Sequence, residues 1–146
     1  MASALSVLNT VNFIQKIREF CNYHEWILNH IDSKSAKLRF QAPSGNTQTL
    51  YMLRYEDTVE FSVPSGLAFD NLSEVNGDIS TYLLNRNAQR KFGFWCLEKI
   101  QEKFVISVMH NAPISLIDVN YFGMISQALV AECDQFELKI AQILNS

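Results

Sequence analysis

The chain lacks any excess of positive charge. Twelve lysines and arginines stand against fifteen aspartates and glutamates, for a formal charge of −3. Nucleic acid and anionic membrane surfaces are held by a concentrated basic face, so neither is expected as a partner. The clusters Lys34–Lys37–Arg39 and Arg86–Arg90–Lys91 are too short to make such a face. Cysteine is scarce: Cys21, Cys96 and Cys133 lie far apart with no CxxC spacing. That excludes a disulfide framework read from spacing and fits buried thiols in a reducing compartment, so the protein is expected to be cytoplasmic. The five glycines are scattered and build no phosphate-cradling loop. No apolar run approaches the ~20 residues that span a bilayer. Met1 to Lys16 has no basic start, and Asn9, Thr10 and Asn12 interrupt its apolar residues, so it does not read as a secretory signal.

Arrangements for bond-making chemistry are also wanting. Cys21 and His24 share one helix face at i, i+3 spacing, but no third metal ligand converges with them in sequence. His30 falls on a different helix face from His24, and His110 ends a strand. Ser44 and Ser65 each follow proline and precede glycine, which is turn chemistry and not a nucleophile elbow. Glu56-Asp57 reads as a turn, and Asp118, Glu132, Asp134 and Glu137 as a cap and a solvated helix face. The expectation is a non-enzymatic chain with no cofactor and no metal. Two rival readings stand beside it. One is a small-ligand sensor or enzyme with a pocket between helices and sheet, built on His24 or His110 with Cys21 or a carboxylate. The other is a nucleic-acid platform of Arg86, Arg90, Lys91 and Trp95.

What is present is the patterning of a packed interior. At 146 residues, 48% of them apolar, the sequence reads as one domain over 1–146. Leu5, Leu8, Val11, Ile14, Ile17 and Cys21 step by threes and fours, and the stripe continues through Ile27 and Ile31. This predicts a long helix over about 6–31. The period then falls to two: Leu38, Phe40 and Ala42 alternate with polar neighbours, 49–55 forms a second strand, and Val59, Phe61 and Val63 a third. Val63-Pro64-Ser65-Gly66 is expected to stop the sheet. A second helix is expected over about 78–90 with Asp78 as N-cap, then strands over 94–98 and 104–110. A last helix is expected over 116–144, opened by a Ser115–Asp118 capping box. Its inner face would carry Phe122, Ile125, Leu129, Cys133, Phe136, Ile140 and Leu144, with Gly123 close against a neighbour. The predicted fold is α+β in the order αβββαββα: a five-stranded antiparallel sheet packed against long N- and C-terminal helices.

This order resembles a known family, and so does the motif content from Leu83 to Leu129. The run Leu83-Leu84-Asn85-Arg86-Asn87, then Phe92-Gly93-Phe94-Trp95, then the Leu116-Ile117-Asp118 helix start is similar to the YbjN-like family. That family is grouped with the type III secretion chaperone-like fold. The resemblance implies a homodimer that holds a partner polypeptide on its surface, in a chaperone-like or regulatory capacity, and its members are described as sensory transduction regulators. It supplies no catalytic residues. The residues expected at the partner or dimer surface are Leu83, Arg86, Phe94 and Trp95. Trp95 alternates with Phe94 and Cys96, so it is expected on the sheet face opposite to theirs, away from the monomer's interior. Both terminal helices, at about 39 Å for 26 residues, would span the whole domain and ask for a second copy or partner to cover them.

Overall fold

A computed structural model describes residues 3–144, with the side chain of Leu144 outside the described part. The elements are α1 (Ala4–His24), β1 (Leu28–Ile31), β2 (Ser35–Gln41), β3 (Thr47–Tyr55), β4 (Thr58–Phe69), α2 (Gly77–Gln89), β5 (Phe94–Ile100), β6 (Lys103–Pro113) and α3 (Val119–Leu144). The fold is α+β, but the sheet has six strands and not five. They run antiparallel in the order β1-β2-β3-β4-β6-β5. α3 lies across β3, β4 and β6, α1 packs beside α3, and α2 sits against β5.

The sixth strand comes from what the helical spacing assigned to the first helix. α1 stops at His24 because Glu25 takes a left-handed conformation (φ 59°) and returns its N–H to the Asn22 carbonyl. Trp26 then folds back, its ring 4.5 Å from that of His24 and 4.9 Å from that of Phe40. Leu28–Ile31 pairs with β2 through a turn held by Asp32, whose Oδ1 accepts the N–H groups of Lys34 and Ser35 at 2.8 Å each.

Pro64 does not stop the sheet either. The β3 ladder reaches only the Tyr51–Ser62 pair, so beyond it β4 needs no donor on that side. On the other side the ladder with β6 continues. Pro64 faces Ser107 and Ala68 faces Val105, so β4 spends four steps where β6 spends two. This bulge carries the strand past the proline to Phe69.

The remaining boundaries move by a turn or less. Asn76, not Asp78, caps α2, accepting the Asp78 N–H at 2.7 Å. Ile114–Leu116 forms a 3₁₀ turn, and Asp118 is itself the cap of α3, taking the Tyr121 N–H at 2.8 Å. Gly93 has φ 81°, and a Cβ there would stand 2.6 Å from Leu129 Cδ2, so the chain can enter β5 only with glycine. Phe13, Ile17 and Phe20 of α1 meet Leu50, Met52 and Phe61 of the sheet and Phe122, Ile125 and Leu129 of α3 in one core.

Candidate functional site

Because α1 and α3 share one side of the sheet, strand alternation sends every second residue to a side that carries no helix. Tyr51, Leu53 and Tyr55 of β3 point there, with Glu60 and Ser62 of β4, Met109 and Val105 of β6, and Phe94, Cys96 and Glu98 of β5. An antiparallel sheet with one wet face normally alternates apolar with polar. Here the second face is polar on β2, through Ser35, Lys37 and Arg39, and at Ser107 and Asn111 of β6, but it carries an apolar and aromatic patch on which Tyr51, Tyr55, Phe94 and Ile100 are exposed. It is hollowed into a groove of about 730 Å³, lined among others by Leu53, Tyr55, Glu60, Glu98, Ile100 and Val105.

Two carboxylates occupy this groove. Glu98 reaches from β5 across β6 to β4, where its Oε2 accepts the Ser62 hydroxyl at 2.9 Å. Burial raises the pKa of Glu60, and the charge of Glu98 raises it further. Burial also raises Tyr55, with Glu60 and Glu98 adding to it. Among the described residues neither carboxylate has a lysine or arginine partner within 4 Å. Cys96 is pushed up to about 12, first by burial and then by the same two carboxylates, and its thiol donates to Met109 Sδ. It is a protonated thiol at neutral pH, not a nucleophile.

The expected surface residues fall in two groups. Trp95 is corrected: it faces α3 and is only 5% exposed, while Phe94 and Cys96 are on the bare face. Leu83 is buried beneath α2, and Phe94, at 38% exposure, is the open member of the four. Arg86, its side chain 34% exposed, reaches inward to a cluster around the buried Glu132. Arg86 Nε and Nη2 donate to the two carboxylate oxygens at 2.9 Å each, Arg90 Nη1 lies 2.7 Å from Oε1, and Trp95 Nε1 donates to Oε2 at 2.9 Å. Burial alone would raise Glu132, but the bonds from Arg86 and Trp95 and the two arginine charges outweigh it and hold the carboxyl low. Asn87, from the same α2 motif, donates to the Trp95 carbonyl at 3.1 Å and accepts its N–H at 2.6 Å, pairing with β5 as a strand would.

The histidines have structural partners. His24 Nε2 donates to the Val119 carbonyl at 2.8 Å, and Gly123 makes room for its ring. His30 bonds Asp32. His110 Nδ1 accepts the Gly93 N–H at 3.1 Å, so Nε2 carries the proton and donates it to the Tyr121 hydroxyl at 2.6 Å. Burial pushes Cys21 up to about 11 and raises Cys133 as well. Among the described residues no three His, Cys, Asp or Glu side chains converge as metal ligands would. A smaller apolar cleft of about 230 Å³ lies between α2 and β5, lined by Leu83, Leu84, Trp95 and Ile106, with no histidine or carboxylate.

The groove residues Tyr51, Tyr55, Glu60 and Glu98 were not singled out by the sequence reading. The signal for them is Leu50-Tyr51-Met52-Leu53, an unbroken apolar run in a strand with neighbours that alternate. Such a run belongs to a strand whose two faces are both meant to be covered. Among the described residues no helix is long and apolar enough to cross a membrane. Comparison with protein-family models, curated proteins and solved structures returned no match.

Proposed function

We propose that this chain is a non-enzymatic protein-binding domain, chaperone-like or regulatory, that holds a partner polypeptide on the helix-free face of its sheet. One observation carries the reading: that face exposes Tyr51, Tyr55, Phe94 and Ile100 around a groove of about 730 Å³ where a solvated sheet would be polar. An extended segment laid on a sheet gains apolar contacts at alternate residues, and Leu53, Ile100 and Val105 give the groove apolar surface for them. The protein acts as a homodimer in this reading. Leu5, Leu8 and Val11, exposed on the first turns of α1, support association.

The test is affinity capture from an extract of the source cells with the wild type and with a Tyr51→Ser/Tyr55→Ser double variant. Both exposed rings leave the core untouched when truncated, so the variant should melt with the wild type. Partners recovered by the wild type and lost by the variant support the proposal. Identical recoveries would sink it.

A further inference from the structure

We infer that the groove on the helix-free face seats a lysine or arginine side chain of an extended partner segment between Glu60 and Glu98. This rests on the reading of that face as a protein-docking surface. The argument is one of charge complementarity. Two carboxylates stand in one groove, Glu60 partly withdrawn from water, and neither has a cation within 4 Å among the described residues. A carboxylate drawn partly out of water beside a like charge is disfavoured, as Glu60 is, and a cation placed in the groove relieves that penalty.

The chain's own cations near the groove are turned elsewhere. Lys99 lies at the rim, but its Nζ stands over the Phe104 ring at 5.9 Å. Lys37 of β2 stands over the Tyr51 ring, also at 5.9 Å. The groove is matched to a long cationic side chain along its length. Leu53, Ile100 and Val105 give apolar surface to the methylene stem, and Tyr55 offers an exposed ring to the charged head. Ser62 fixes Glu98 by donating to Oε2 and leaves Oε1 free of any other partner among the described residues. A small free cation would use only one corner of 730 Å³, whereas a polypeptide fills the apolar remainder with neighbouring side chains.

The experiment uses the full chain and an array of immobilised peptides about ten residues long. The peptides alternate apolar and polar residues, with Lys, Arg, Gln or Glu at the central position. The wild type should retain the Lys and Arg peptides about tenfold more tightly than their Gln counterparts, as expected for one charged hydrogen-bonded pair. Glu60→Gln and Glu98→Gln should each reduce that preference while still retaining the apolar peptides. Glu60→Gln removes repulsion, and the amide in Glu98→Gln still accepts from Ser62, so thermal melts should show both variants folded. Retention that is lost in Tyr51→Ser/Tyr55→Ser but indifferent to the central residue overturns this inference and leaves the docking face standing. No retention of any peptide overturns both. A second copy could offer Lys37 and Arg39 to the same carboxylates. If Lys37→Glu/Arg39→Glu abolishes self-association in light scattering and no peptide is retained, the inference is likewise overturned.

Discussion

The Trp95 indole N–H donates to Glu132 Oε2 at 2.9 Å, joining β5 to α3 at the point where Arg86 and Arg90 bring in α2. A tryptophan so held is part of the interior, and its removal should be felt as stability and not as affinity. Trp95→Phe keeps most of the packing and loses one hydrogen bond to a charged group, a cost of about 1.5–3 kcal/mol. Glu132→Ala leaves Arg90, whose side chain is 13% exposed, without its counter-charge and should cost more, about 3–5 kcal/mol. Urea midpoints of the two variants check this. A Trp95→Phe protein as stable as the wild type would contradict the geometry.

His110 should make stability depend on pH just below neutrality. Burial lowers its pKa from the ordinary 6.5, so the folded protein prefers the neutral ring, whose Nδ1 accepts from Gly93. The folded state then binds fewer protons than the unfolded chain. Stability is full above 6.5 and falls as the pH drops below it toward the folded-state value. Urea titrations between about pH 8 and pH 5 should show the decline in the wild type and a flatter profile in His110→Gln. Glu132, held below its ordinary 4.5, stays ionised throughout that window.

Gly123 and His24 should be energetically coupled. A Cβ on Gly123 would stand 2.5 Å from His24 Cε1, and that ring is pinned by the Val119 carbonyl and by Trp26. Gly123→Ala gains about 1 kcal/mol of helix propensity but should lose about 1–3 kcal/mol to overpacking, for a net destabilisation. In a His24→Ala background the space opens, and the same substitution should become neutral or stabilising. A double-mutant cycle by chemical denaturation measures the difference.

The first turns of α1 should govern self-association. Leu8 is 54% exposed, so Leu8→Glu puts a charge where a second copy would dock without disturbing the monomer. Light scattering should give a dimer for the wild type and a monomer for the variant, with coincident melts at low concentration.

Much of this fold could be read from the amino-acid order, and the failures have local causes. The period-two runs around Leu38 and Val59, the strand between them and the paired strands either side of Gln101 emerge where expected, as do the second and third helices and the body of the first. β1 did not, because Ile27 and Ile31 continue the helical spacing while the left-handed Glu25 that ends α1 has no sequence mark. Pro64 misled because whether a strand has a neighbour on a given side is a tertiary fact. Trp95 was assigned the wrong side because both alternating sets, Phe94/Cys96 and Trp95/Leu97, are apolar, and only the position of α3 chooses between them. The Glu132 cluster draws on residues 37 and 46 positions away, beyond any local pattern. Glu60 and Glu98 line one groove only because β6 pairs with both of their strands and so joins β4 to β5.

That entry has a consequence for how the chain comes together during synthesis. The first four strands form a meander from neighbours in sequence, but the inner edge of β4 is completed by β6, which follows both α2 and β5. Until residues 103–113 leave the ribosome, Val59, Phe61 and Val63 sit on a strand with one row of backbone groups unmatched. A nascent chain halted before Lys103 should therefore be sticky, and the last hairpin is what closes the protein to its neighbours in the cell.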